Sequence, residues 1–380
     1  MEAFYYITFS PETILISLQQ IAATVGNYDF ENVTVGAIGS HSALEIMDGA
    51  KDENLKTICI CQKGRELPYM RFKRLADEII LLDKFSDILF PENQERLRQS
   101  NTIMVAHRAF TAYLGYDNIE NNLEVPVFGN RFLLRAEERT AERNQYYLLE
   151  KADIRHPKLY HKPLDIDGPA MVKVQEATRK LERAFFIVSS YNDYEKKSKQ
   201  KIEQRLVTEE DLNKATIEQY VPGTYFNLNF FVSPLTGETE FLGIERRLQT
   251  NIHDIVSLSA RQQMEMEDIR IQNIEVGHTP ASIRESLLEK VFEMGDRIAV
   301  AARKEYPPGI IGPISLQSVV TVDLDFVVYD VSLRVPGNPI MATTSPYTKY
   351  YYGHTMGVGR RIAMEIKNAI EQQKLPNIVT

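Results

Sequence analysis

Residues 33–61 read VTVGAIGSHSALEIMDGAKDENLKTICIC. The run VTVGAI (33–38) is apolar and has the length of a buried strand. Gly39 then permits a tight turn, and SALEIMDGAK (42–51) carries its apolar residues at helical spacing. TICIC (57–61) is a second short apolar run. Strands separated by a helix rather than a hairpin turn lie parallel, because parallel neighbours need a long crossover. EIILL (78–82) and TIMVA (102–106) continue the alternation, so residues 1–125 are expected to form an α/β domain around a parallel sheet.

Beyond residue 125 the pattern changes. Residues 131–152 read as a charged helix, and AMVKV (170–174) and AFFIV (184–188) as strands. Residues 192–214 are rich in Lys and Glu and read as solvated helix and loop. Strands over 225–232 and 239–245 flank SPLTGE, a hairpin-type connection. Residues 284–304 form an amphipathic helix that places Leu287, Val291, Met294 and Ile298 on one face. Strands follow at 313–320 and 325–333, and a closing helix at about 357–372 buries Ile362, Ile366 and Ile370. Residues 126–380 are therefore expected to be α+β with mixed sheets.

The composition excludes several classes. Of 380 residues, 43% are hydrophobic and 25% charged, as in soluble globular proteins. The net charge of −8 argues against nucleic acid as a partner. No apolar run approaches the ~18 residues of a membrane helix, and MEAFYYITFSPET (1–13) has no signal-peptide pattern. Cys59 and Cys61 sit two apart on a strand, a spacing that disfavours a disulfide between them. They are expected to be reduced core residues of a cytoplasmic protein.

Four segments can carry chemistry. In GSHS (39–42), a glycine after a parallel strand leads into a helix N-terminus beside His41, a place suited to phosphate; the alternative is a plain helix cap with a surface histidine. In GPISLQSVVTVDLDFVVYDVSLRV (312–335), a turn centred between Asp323 and Leu324 places Gln317 opposite Asp330, with Ser315, Ser332 and Arg334 on the same face. Amide oxygen and carboxylate together suit Mg²⁺ shared with nucleotide phosphates, and a solvated polar face is the alternative. Lys173 interrupts an apolar strand and needs an anion, either a phosphate or a structural carboxylate. Glu218 and Gln219, in IEQYVPGTYF (217–226), can meet an adenine ring and its ribose, or simply belong to an edge strand. His107, His156, His161, His253, His278 and His354 show no metal-ligand spacing, and the chain has no P-loop and no G-x-G-x-x-G.

As a set, GSHSALEI (39–46), DGAKDE (48–53), QKGRELPYMRFK (62–73), VPVFGNRFLLRAEER (125–139), IEQYVPGT (217–224), RESLLEKVFEMGD (284–296) and PPGIIGPISLQS (307–318) resemble the archaeal formate-dependent FAICAR synthetases, the PurP-type ATP-grasp ligases. The resemblance implies a Rossmann-like N-terminal domain over 1–125 that binds the nucleotide substrate, and an ATP-grasp fold over 126–380. It implies ATP as co-substrate, Mg²⁺ or Mn²⁺ as cofactor, formate and AICAR (aminoimidazole carboxamide ribonucleotide) as small-molecule partners, and a homo-oligomer without nucleic acid or membrane. By position, His41 and Asn251 match AICAR contacts, Lys173, Glu218 and Gln219 match the ATP site, and Gln317 and Asp330 match the metal ligands. The chain departs from the family at Gln219 and Asp330, where glutamates are common, and at Ala109, where a serine is usual. RVPGNPIMATTSPY (334–347) replaces a more glycine-rich stretch. The loop after Lys173, VQEATRKLERAFF (174–186), has no glycine, and Arg179, Lys180 and Arg183 are its candidate phosphate contacts. These departures leave two further readings: a ligase for another carboxylate or amine, and a non-catalytic nucleotide-binding paralogue.

Overall fold

A computed structural model describes residues 16–174, 185–249, 255–265 and 275–380. Five parallel strands, β1 (Thr34–Ile38), β2 (Lys56–Gln62), β3 (Glu78–Leu82), β4 (Thr102–Val105) and β5 (Val127–Phe128), form the first sheet in the order β3-β2-β1-β4-β5. All five residues of β1 are buried, as a parallel strand covered on both faces requires. The strand order reverses between β1 and β4, which leaves a crevice beyond their carboxyl ends. Cys59 and Cys61 are free and buried in β2.

The first sheet takes its cover from both ends of the chain. Ile46, Met47 and Ala50, on helix Ala43–Asp52, share one core with Ile362, Ile366 and Ala369 on helix Val358–Glu371. Ile370 is only half-buried at the edge of this contact. The two helices cross so closely that a Cβ on Gly49 would fall on the Arg360 backbone nitrogen, and one on Gly359 on the Glu45 carbonyl oxygen.

Residues 131–152 do not form one helix. A 3-10 turn, Leu134–Glu137, is followed by irregular chain and by helix Gln145–Lys151. The Asn144 side chain accepts from the Tyr146 and Tyr147 N–H groups and so starts this helix afresh. Upstream, the buried Arg131 guanidinium donates to the carbonyls of Ile119, Leu123, Val125 and Thr380, which ties this stretch down as a connector.

A four-stranded antiparallel sheet comprises β6 (Leu159–Tyr160), β7 (Ala170–Lys173), β8 (Phe185–Val188) and β9 (Thr216–Gln219), in the order β6-β9-β7-β8. A five-stranded antiparallel sheet comprises β10 (Thr224–Val232), β11 (Thr239–Gln249), β12 (Glu275–Ala281), β13 (Gly312–Val320) and β14 (Phe326–Ser332), in the order β12-β11-β10-β13-β14. One face of this larger sheet packs Leu228, Phe230, Ile314 and Leu316 against Val291, Met294 and Ile298 of helix Leu288–Glu305. The other face carries the polar residues Asn227, Glu245 and Gln317.

Substituting Gly49→Ala is expected to lower unfolding stability by about 1–3 kcal/mol through overpacking of the helix crossing. Urea titration reads it as a lower midpoint; an unchanged midpoint contradicts the close approach.

Candidate active site

Alternation along β10, β11, β13 and β14 sends one set of side chains into the apolar core and the next onto the opposite face. Register then aligns the second set in a row: Glu245 faces Asn227, Asn227 faces Gln317, and Gln317 faces Asp330. Asn229, Ser315 and Ser332 form the adjacent row. Asn227 donates to Glu245 (2.6 Å), and Gln317 Nε2 donates to Ser332 Oγ (3.3 Å). Gln317 Oε1 is buried without a donor.

The Gln317–Asp330 pairing arises differently from the expected one. Ser318, Val319 and Val320 face Val328, Val327 and Phe326, a register one residue tighter than a turn centred between Asp323 and Leu324 would give. Tyr329 is the extra residue, absorbed as a β-bulge between Gln317 and Ser318. The carbonyl of Tyr329 accepts a hydrogen bond from Lys173 Nζ at 3.3 Å. The bulge thus both brings Asp330 opposite Gln317 and offers Lys173 an acceptor. Arg334 lies beyond the end of β14, where it pairs with Glu137 at 3.6 Å.

Lys173 and Glu218 are diagonal neighbours on β7 and β9, and both are buried. They form an ion pair, and Glu218 Oε2 accepts from the Tyr146 hydroxyl at 2.6 Å. Burial lowers the Lys173 pKa, with the Glu218 carboxylate opposing it. Glu218 is therefore one anionic partner of Lys173. β9 is not an edge strand, since it runs between β6 and β7. Gln219 is exposed, and its N–H donates to the Lys158 carbonyl at 2.8 Å.

His41 and His107 follow β1 and β4, on either side of the switch point, with parallel rings 6.0 Å apart. His107 is fully buried; Nε2 donates to the Ile38 carbonyl (3.0 Å) and Nδ1 accepts from the Ala109 N–H (3.3 Å). Ser42 does not cap its helix with its side chain. Its hydroxyl donates to the Pro336 carbonyl (3.0 Å), so the 2.6 Å contact with His41 Nδ1 is a donation from Nδ1–H. That tautomer leaves His41 Nε2 as an acceptor. His41 is held down to about 3 by the surrounding protein first, then by Arg334 and His107. His41 is exposed at the cleft mouth, where water moderates the shift, and the neutral ring at physiological pH follows from its direction. Gly337 packs against this ring, and Val335 bridges to His107, so the chain leaving β14 joins the polar sheet face to the switch point.

Sequence reading missed His278. Its Nδ1 bonds Glu245 Oε2 (2.8 Å) and its Nε2 bonds Glu275 Oε1 (2.9 Å). Burial alone would lower its pKa, but the two carboxylates outweigh burial and push it up to about 9. Arg247 pairs with Glu275 at 2.8 Å. Asn227 and Asn229 show in the sequence as the polar half of FNLNFF (226–231); His278 carries no such signal. Asn251 lies outside the described residues, as do Arg179, Lys180 and Arg183.

A divalent cation fits Gln317 and Asp330. The orphaned Gln317 oxygen faces a carboxylate, and two protein oxygens suffice for Mg²⁺ that completes its shell with phosphates and water. Among the described residues no cluster of three His, Cys, Asp or Glu side chains offers an all-protein cage.

The architecture is that of the ATP-grasp ligases. An ADP complex of purK, N5-carboxyaminoimidazole ribonucleotide synthetase, superimposes with a TM-score of 0.58 at 15% identity, over 85% of this chain and 77% of that one. Phosphoribosylglycinamide synthetase from Anaerococcus prevotii gives 0.54 at 14% identity, over 89% and 75%. An IMP biosynthesis protein PurP from Thermococcus kodakaraensis gives 0.69 at 26% identity, over 91% and 100%. Two families described only as of unknown function, DUF1246 and DUF1297, match residues 35–160 and 193–380. The 5-formaminoimidazole-4-carboxamide-1-(beta)-D-ribofuranosyl 5'-monophosphate synthetase of Methanocaldococcus jannaschii is 43% identical over 369 residues, 96% of this chain and 100% of the relative. Its counterpart in Methanothermobacter thermautotrophicus is 42% identical over 368 residues, 96% and 99%. The chain belongs to this synthetase family.

The raised His278 pKa carries a linkage consequence. Stabilisation from its charge is full below the ordinary 6.5 and is lost as pH rises through about 9. The melting-temperature gap between wild type and His278→Gln is expected to be widest below pH 6.5 and to close above pH 9. A gap independent of pH would show that His278 is not held protonated.

Proposed function

We propose that this chain joins formate to the 5-amino group of AICAR with ATP, releasing FAICAR, ADP and phosphate, as a step of purine biosynthesis. The observation that carries this reading is the union in one fold of a polar sheet face beside Lys173 with a neutral histidine at the crevice of a parallel sheet. The first suits a nucleotide triphosphate and the second a nucleotide substrate. Near-complete coverage by synthetases named for the product supports it.

In the proposed chemistry a formate oxygen attacks the γ-phosphorus, breaking its bond to ADP and forming formyl phosphate. The amine nitrogen then attacks the formyl carbon, phosphate leaves, and the nitrogen loses a proton. Lys173 neutralises phosphate oxygens, and its bonds to Glu218 and the Tyr329 carbonyl hold it in place beforehand. Gln317 and Asp330 hold Mg²⁺ or Mn²⁺, which supplies charge neutralisation at the phosphates. Gln219 remains at the solvent side, where its amide can meet a ribose hydroxyl. His41 Nε2 accepts a hydrogen bond from the nucleotide substrate, and Asn251 is a second contact to it. Residues 1–125 supply the nucleotide-substrate half and 126–380 the ATP half. The working form is a cytoplasmic homo-oligomer that engages neither nucleic acid nor membrane; the net charge of −8 speaks against nucleic acid.

The test is a product assay with ATP, Mg²⁺, formate and AICAR. FAICAR is expected only when all four are present; ADP without FAICAR, or neither product from folded protein, contradicts the proposal. In the same assay Asp330→Asn is expected to lower kcat by about a hundredfold or more with little change in the KM for AICAR. Normal turnover by that variant defeats the metal assignment.

A further inference from the structure

Arg139 has no role in the chemistry above, yet its guanidinium sits at the cation position. Nη2 lies 2.5 Å from Asp330 Oδ1, and the two side chains are only 21% and 20% exposed. Across the strand pair, Gln317 Oε1 waits without a donor. The site therefore contains a carboxylate already satisfied by a monovalent cation, beside an oxygen that this cation does not reach. Arginine cannot shed its charge. A divalent cation on Asp330 would face that charge at ion-pair distance, where repulsion is strong.

Arg139 also has somewhere to go. It belongs to the irregular chain between the 3-10 turn Leu134–Glu137 and helix Gln145–Lys151, not to a strand. Its Nε is buried with no acceptor. Tyr146 and Glu218 lie close enough to act on it, so it borders the Lys173 side of the site as well as Asp330. A guanidinium offers a planar fork of donors that matches phosphate oxygens.

We propose that Arg139 is the resident counter-ion of the cation site: it neutralises Asp330 while no divalent cation is bound, yields the carboxylate when cation and nucleotide enter, and turns its donors to the arriving phosphate oxygens. A carboxylate this buried is costly unless paired, so the device keeps the empty site stable. It also makes cation and nucleotide binding mutually supportive, because the displaced guanidinium gains an anion only when both are present. The inference rests on the nucleotide and cation part of the proposed function, not on the formyl acceptor.

Calorimetry on the full chain tests it without turnover, using Mg²⁺ alone and then ADP at saturating Mg²⁺. Arg139→Met is expected to bind Mg²⁺ about tenfold more tightly than wild type, and ADP about tenfold more weakly. Arg139→Lys, which keeps a charge without the fork, is expected to fall between them on both axes, and it decides the matter alone if the methionine variant does not fold. Unchanged or weaker Mg²⁺ binding in the variants overturns the proposal. Wild type that binds Mg²⁺ and ADP but makes no FAICAR overturns the proposed function and leaves this inference standing. FAICAR synthesis by wild type, with variants that titrate like it, overturns this inference alone.

Discussion

A sheet with hydrocarbon on one face and charge on the other places a strict demand on its polar side. Leu228, Ile314 and Leu316 commit one face of the larger antiparallel sheet to the core. Strand alternation then commits Asn227, Gln317 and Glu245 to the opposite face, where all three are also buried. A buried polar group must find a partner or cost free energy. Most do so within the protein: Asn227 with Glu245, Glu245 with His278, His278 with Glu275. Gln317 Oε1 and Asn229 Oδ1 are among the atoms that find no donor, and the proposed function places a cation at the first of them, beside Asp330.

The bulge at Tyr329 couples this face to the smaller sheet. An extra residue in β14 steps the register by one, so Asp330 rather than Tyr329 meets Gln317. The Tyr329 carbonyl then anchors Lys173, a residue of another sheet that is simultaneously clamped by Glu218. Backbone geometry thereby fixes the Lys173 charge relative to the Gln317 and Asp330 oxygens, and in the proposed function this is the preorganisation that phosphoryl chemistry requires.

Much of this was legible in the sequence, for local reasons. The strands of the parallel sheet announce themselves as short apolar runs, and EIILL (78–82) coincides with β3 residue for residue even though it is a partly exposed edge strand. Gln317 and Asp330 were paired correctly because the bulge compensates for a turn tighter than expected. What escaped depends on contacts between distant segments. His107 lies beside His41 only because β1 and β4 are neighbours across the reversal of strand order. His278 meets Glu245 across β11 and β12, and Arg139 reaches Asp330 from irregular chain that the sequence had suggested was helix. Periodicity does not carry such information.

In the proposed function the polar sheet face activates formate as formyl phosphate, its mixed anhydride with phosphate. Formate labelled with ¹⁸O in both oxygens, supplied with ATP, Mg²⁺ and AICAR, tests this most directly by mass analysis of the products. Attack of formate on the γ-phosphorus predicts one labelled oxygen in the released phosphate and one in the formyl group of FAICAR. Phosphate without label, alongside FAICAR, would contradict a formyl phosphate intermediate and with it the role given to this face.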